Sequence, residues 1–191
     1  MRTIAVLAGV LLLGACAHTT KRAESQARIA LASPGALTQR SASQVIHAVY
    51  GSRAMTLRTA LQLDANGLRI VGVTATGQRL FTASWDGHVV TSDKSPLVPD
   101  SVQPERVLAD VQLALWPLAA VQAAFRDAGL EVSEPFAGVR RLRRGDALVA
   151  EVHYTGADPW SGRLWLVNFE FDYSLTIDTR LSTDNSTAAP N

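Results

Sequence analysis

Few side chains in this 191-residue chain could do chemistry, and most lack a partner at working spacing. Cys16 is the only cysteine, and so the only thiol nucleophile. His47, His88 and His153 fall on separate predicted strands. Three imidazoles brought together would make a zinc site, but none has a second ligand at metal-site spacing beside it. Ser84 and Ser161 lack the Gly-x-Ser-x-Gly surroundings of a nucleophile elbow. No glycine-rich loop is built to cradle a phosphate. Asp86 and Glu151 are the acids nearest to apolar strands, and their neighbours read as a turn and an exposed strand position. This pattern predicts a protein that is not an enzyme and holds no metal and no cofactor. A site assembled from distant residues would leave no such motif; His47, His88, His153 and Glu151 would have to converge to supply one.

The thiol has a context of its own. Met1-Arg2 gives one positive charge, Ile4 to Leu13 is uncharged and apolar, and small residues precede Cys16. A charged start, a short apolar run and small residues before a cut site describe a secretory signal. The run is about half the roughly 20 residues of a spanning helix. Leu13-Gly14-Ala15-Cys16 resembles the bacterial lipoprotein box, in which the cysteine is lipidated and becomes the first mature residue. An ordinary signal peptide with an incidental cysteine is the alternative. The expected organisation is a signal peptide over 1–15, a lipidated N-terminus and flexible tether over 16–26, one domain over 27–181 and a disordered tail over 182–191. Ala17, rather than Asp, follows the cysteine. By the sorting rule for such proteins, the resemblance implies the outer membrane, periplasmic face, as the address and its bilayer as a partner.

Lys plus Arg is 18 and Asp plus Glu is 17. Loss of 1–15 removes Arg2 and no acid, so the mature part balances at 17 against 17. A neutral domain has no long-range attraction to nucleic acid, and none is expected as a partner; a monomer is. With Cys16 acylated, neither thiol nor disulfide remains, and stability rests on packing.

The elements follow from periodicity. From Arg28 to about Asp93 the chain reads as consecutive strands. Met55, Leu57, Leu61 and Leu63 alternate with polar residues at a period of two. Asn66-Gly67 and Asp86-Gly87 are hairpin signals, because both residue types tolerate positive φ. Short connections mean antiparallel neighbours. Lys94 to Pro104 holds three prolines around Leu97-Val98, an apolar pair either tucked onto the core or held out to a membrane. Glu105 to Ala128 changes to helical spacing, broken at Trp116-Pro117 and stopped at Gly129. No charged residue occurs from Val111 to Phe125. Such a pair is either buried against the sheet or a lid over an apolar space. Strands resume after Gly138: Val139 to Arg144 reads as a solvated edge, with a phosphate-contact patch as the alternative, then Leu148 to Tyr154, then one long strand from Arg163 to Arg180.

Several runs carry a resemblance to a known family. They are Gly67-Leu68-Arg69-Ile70-Val71-Gly72, Phe81-Thr82-Ala83-Ser84-Trp85-Asp86-Gly87 and Val107 to Pro117, with its Asp-x-Gln-Leu-Ala-x-Trp-Pro ending. With the lipoprotein box, the chain resembles a bacterial lipoprotein family, a domain of unknown function, whose genes often accompany aryl-polyene or fatty-acid-like biosynthesis genes. In architecture it is similar to the LolA/LolB lipoprotein carrier and receptor superfamily. That resemblance implies an α+β fold: a strongly curved antiparallel sheet of about ten strands, an unclosed barrel, with a helical pair inserted as lid or plug. It implies a function as well, binding or handing on an acyl chain, a lipoprotein or a polyene lipid in an apolar cavity. A scaffold or assembly factor for envelope proteins is the rival. Candidate ligand contacts are Met55, Leu57, Leu61, Trp85, Trp116, Phe125, Phe169 and Phe171, each of which also suits a plain core position. Leu97 and Val98 are the candidate membrane contacts.

Overall fold

The computed structural model describes residues 31–99 and 102–182, without the side chains of Pro104 and Glu105. Cys16, the 16–26 tether and the tail from 183 lie outside the described residues. Strands β1 (Arg40–Tyr50), β2 (Arg53–Asp64), β3 (Gly67–Val73), β4 (Arg79–Trp85) and β5 (Val90–Lys94) form one meander. A second comprises β6 (Glu131–Phe136), β7 (Val139–Arg144), β8 (Ala147–Tyr154), β9 (Gly162–Asn168) and β10 (Tyr173–Leu181). The two join into one ten-stranded antiparallel sheet in the order β5-β4-β3-β2-β1-β10-β9-β8-β7-β6. The first and last strands therefore pair at its centre, and β5 and β6 are its edges. Between those edges in sequence lie α1 (Pro104–Leu115) and α2 (Leu118–Arg126). Helix α1 packs against β4 and β5, and α2 against β6. The helical pair thus bridges the mouth that the sheet leaves open.

Turn chemistry is as local as the sequence suggests. Gly67 has a φ of 126°, and a Cβ there would lie 2.1 Å from the Trp85 carbonyl oxygen. At Asp86, one carboxylate oxygen accepts the backbone N–H of both His88 and Val89 at 2.7 Å. Those bonds hold its carboxyl below the usual carboxylate range.

Three expectations need correction. Glu131–Phe136 is a strand that the sequence did not announce, because Pro135 and two acids break its alternation. It makes β6 the edge and puts β7 one place inside. Arg140 is consequently buried rather than solvated, which also takes it out of any phosphate patch. The stretch Arg163 to Arg180 is two strands, reversed over residues 169–172, where Asp172 has a φ of 52°. Asn168 accepts the Phe171 N–H on its side-chain oxygen and locks the turn. The inward face is then Leu164, Leu166 and Asn168, continuing on β10 through Leu175 and Ile177. Trp165 and Phe169 point out.

Helix α1 ends inside the protein. Trp116 leaves the helical region and Pro117 has no N–H, so the last carbonyls have no intrahelical donor. Each is met by a side chain from β7, β8 or the loop between β8 and β9. Arg140 Nη1 donates to the oxygens of Leu113 (2.6 Å) and Trp116 (2.8 Å). The Tyr154 hydroxyl donates to Ala114 (2.7 Å), and Trp160 Nε1 to Leu115 (3.0 Å). Glu134 on β6 accepts from Arg140 Nε and Nη2, so the buried guanidinium is charge-paired. Around this knot lies the solid core: Trp116 and Trp160, with ring centroids 6.0 Å apart, and Phe125, Leu113 and Leu166. Arg140→Ala leaves two buried carbonyls unmet and is expected to cost about 3 kcal/mol in urea unfolding. Arg140→Lys should recover only part of that, since an ammonium cannot reach both carbonyls and Glu134 in one plane.

Candidate functional site

The helical pair is pinned at the Trp116 end, and among the described residues no side chain fills the space beneath α1. A cavity of about 620 Å³ lies there, between α1, the concave rows of β1, β2 and β10, and the proline-rich loop after β5. The strand ladder orders its wall. Ala48 faces Met55 and Leu175 across β2 and β10; one row deeper, Ile46 faces Leu57 and Ile177. Val107, Val111, Ala114 and Leu115 of α1 form the roof, and Phe81, Val98 and Val102 the side. The next row is polar and closes the far end. Gln44 Nε2 donates to Thr179 Oγ1 at 2.9 Å, and Thr59 Oγ1 donates to Gln44 Oε1 at 3.2 Å. Those groups satisfy one another, so the end is neutral and quiet.

The near end is chemically different. Tyr50 faces both Arg53 and Tyr173 across the ladder. The Tyr173 hydroxyl donates to Asp110 on α1 and accepts from Asn168 Nδ2 at 3.1 Å. One turn before Asp110, Arg106 stacks over the Phe171 ring, 3.3 Å from its centroid. Burial pushes the Asp110 carboxyl up to about 7, opposed by the Tyr173 hydrogen bond and the Arg106 charge. The Tyr173 phenol is raised, first by burial and then by the Asp110 charge.

Of the eight expected contacts, Met55 and Leu57 line the cavity; the other six lie off its wall. Leu61 is one row past the polar closure, in the solid core. Trp116 and Phe125 are fully buried because the helix break needs them there, with Trp116 Nε1 donating to Ser33 O. Trp85 instead donates to Ala32 O, which Gln112 also reaches, fastening the segment before β1. Phe169 is 52% exposed, and Phe171 is covered by Arg106. The apolar pair divides: Val98 is buried in the wall, and Leu97, also on the wall, stands 60% exposed. Sequence reasoning missed Asp110, Arg106 and Tyr173. The signal was an Arg and an Asp four apart on a helix with no charge after Asp110, which places both on one face.

The polar residues first weighed for catalysis do not converge on this cavity. His47 bonds to Thr56 outside the concave rows, and His88 sits in the β4–β5 turn. His153 and Glu151 pair at 2.5 Å, with Arg141 on the same carboxylate, which draws the Glu151 carboxyl down. Among the described residues no three His, Cys, Asp or Glu side chains gather as metal ligands.

The elevated Asp110 carboxyl has a stability consequence. Between about pH 4 and about pH 7 the folded chain keeps a proton that the unfolded chain has lost. That contribution is complete below the ordinary value of 3.8 and gone once pH has risen through about 7. Asp110→Asn should therefore flatten a decline of up to about 1.4 kcal/mol per pH unit across this window. Urea unfolding of both proteins at each pH reads the difference.

Comparison with known proteins follows this geometry. A crystal structure of a LolA superfamily protein from Nitrosomonas europaea is 8% identical with a TM-score of 0.42, over 80% of this chain and 88% of its own. A Vibrio parahaemolyticus structure described as an outer membrane lipoprotein-sorting protein domain is 10% identical with a TM-score of 0.42, over 79% and 87%. A DUF1329 family protein from Desulfovibrio piger is 10% identical with a TM-score of 0.37, over 81% and 90%. No curated protein matches the chain. The model of a family of proteins of unknown function covers residues 41–180, from the start of β1 to the end of β10, and the chain accordingly belongs to the DUF3261 family.

Proposed function

We propose that this protein binds one acyl chain in its cavity and passes it on within the cell envelope, as a carrier and not an enzyme. The observation that supports the reading most is the cavity itself. It has about 620 Å³ of space, walls that are largely carbon, and a rim of exposed apolar groups. A core packed to ordinary density leaves no void of that size. At about 30 Å³ per water-sized group, it has room for roughly twenty methylenes, a single long chain rather than three. Apolar pockets of this volume are what hydrophobic ligands fill. In this reading Cys16 carries the lipid anchor in the outer membrane, and Leu97 at the rim meets the bilayer surface.

Lipid extraction of protein purified from its own envelope, followed by mass spectrometry, should return an acyl compound at about one per chain. The neutral fluorophore N-phenyl-1-naphthylamine should enter the emptied cavity and brighten. Ala48 points into the void from β1, and Ala48→Trp should reduce that uptake at least about tenfold with little change in unfolding midpoint, because the ring occupies space already empty. Protein that emerges without lipid and takes up no fluorophore would end the carrier reading.

A further inference from the structure

The cavity has a measurable depth, because the strand ladder cuts its wall into rows. Tyr50 with Arg53 and Tyr173 is the outermost row. Ala48 with Met55 and Leu175 comes next, then Ile46 with Leu57 and Ile177. Exposure falls in that order. Tyr50, Arg53 and Met55 are exposed, Ala48 and Leu175 half-buried, Leu57 and Ile177 buried. The opening therefore lies at the β1–β2 turn. Gln44 is the innermost wall residue on β1, and it is buried. Its bonds to Thr59 and Thr179 tie β1 to both neighbouring strands and fix its side chain. Among the described residues, no wall residue of these three strands lies beyond that bridge.

Tyr50 stands six residues along β1 from Gln44 (50 − 44 = 6), or about 20 Å at about 3.3 Å per residue. An extended alkyl chain advances about 1.3 Å per carbon, the projection of a C–C bond of about 1.5 Å, so that depth takes about sixteen carbons. The width agrees with one chain. About 620 Å³ over about 20 Å leaves a bore of about 30 Å², against about 23 Å² for groups of about 30 Å³ spaced about 1.3 Å apart. We propose that the cavity is a length gauge: it takes one unbranched alkyl chain of up to about sixteen carbons, methyl end first, with the Gln44 bridge as the stop. This rests on the carrier reading above and adds to it the length of the chain and its direction. The bridge suits a methyl end. The Gln44 amide already has its oxygen and nitrogen engaged, so a methyl group meeting it leaves no polar atom newly unpaired. A polar head pushed that deep would lose its water without gaining a partner. Carbons past the limit stand outside the Tyr50 row in water and gain no burial.

The test uses the complete chain with Cys16→Ser, loaded with N-phenyl-1-naphthylamine. Even-numbered n-alkanoates from decanoate to docosanoate compete for the probe, each below its micelle-forming concentration. The head group is constant, so length alone varies. Affinity should rise about fourfold per carbon, break at about sixteen carbons and then stay level. Gln44→Ala removes the stop and should carry the rise on to about eighteen carbons. Gln44→Met keeps the side-chain length without the hydrogen bonds and should leave the break in place. Ile46→Trp fills the innermost row and should bring the break down to about twelve carbons. Ile177→Phe fills the same row from β10 with a smaller ring and should lower it as well, which covers a failure of Ile46→Trp to fold. Hexadecanedioate, polar at both ends, should bind at least about tenfold more weakly than hexadecanoate. Affinity that climbs evenly through docosanoate, or a break at one length in Gln44→Ala and in the ring variants alike, overturns the gauge while leaving the carrier reading standing. Equal binding of hexadecanedioate overturns the methyl-first entry. Failure of the probe and of every alkanoate to bind removes both readings together.

Discussion

The interaction on which the rest of the structure depends is the capture of a broken helix end inside the protein. Pro117 stops α1 in mid-core, where Leu113 to Trp116 are buried and the carbonyls it strands need partners from the protein. Arg140, Tyr154 and Trp160 come from three successive parts of the second meander and take those oxygens one by one. A helix held at four carbonyls cannot slide. That fixes where α1 stops, which way α2 departs, and how far the helical pair can sink into the sheet.

The cavity is the complement of that attachment. At the Trp116 end, large side chains interdigitate and exclude space. Toward its N-terminus α1 turns β-branched residues, Val107 and Val111, to strands that offer Ala48, Ile46 and Ile177 in return. The facing residues are too short to meet. Rigidity at one end and shortfall at the other give a solid half and a hollow half on one sheet. The Gln44–Thr59–Thr179 network is the partition between them. A buried polar bridge there costs little, because each member finds its partner, and it stops the apolar core from closing over the void.

Much of this was legible in the residues. Asn66-Gly67 and Asp86-Gly87 marked their turns because their chemistry is local. The helix break at Trp116-Pro117 was legible for the same reason, whereas the overall plan of a ten-stranded unclosed sheet with two helices was what the family resemblance implied. What failed depended on distant partners. The Phe169 turn carries no glycine at its tip, and its signal is a side-chain bond from Asn168 that only the fold brings into line. Reading straight through it made Phe169 and Phe171 candidate contacts, and neither lines the cavity. Arg140 looked solvated because four arginines lie in six residues; one of them is buried because β6 covers it and α1 needs it. The largest aromatics were natural candidates for ligand contact, yet Trp116 and Phe125 are spent on filling the core. The wall of the hollow is instead mostly Ala, Ile, Val and Leu, which no motif distinguishes from packing.

The pairing of β1 with β10 has a consequence for how the chain is made. Ala42 meets Leu181, 139 residues later (181 − 42 = 139), and the seam runs through the middle of the sheet rather than along a margin. During synthesis the first meander emerges with β1 unpaired on one side, eleven residues of open hydrogen-bonding backbone. It stays so until nearly the last residue of the domain has left the ribosome. Loop closure over that distance is the entropically expensive step. A polypeptide that must cross a membrane before it folds escapes the hazard, since export delivers both halves of the seam to the same compartment still unfolded.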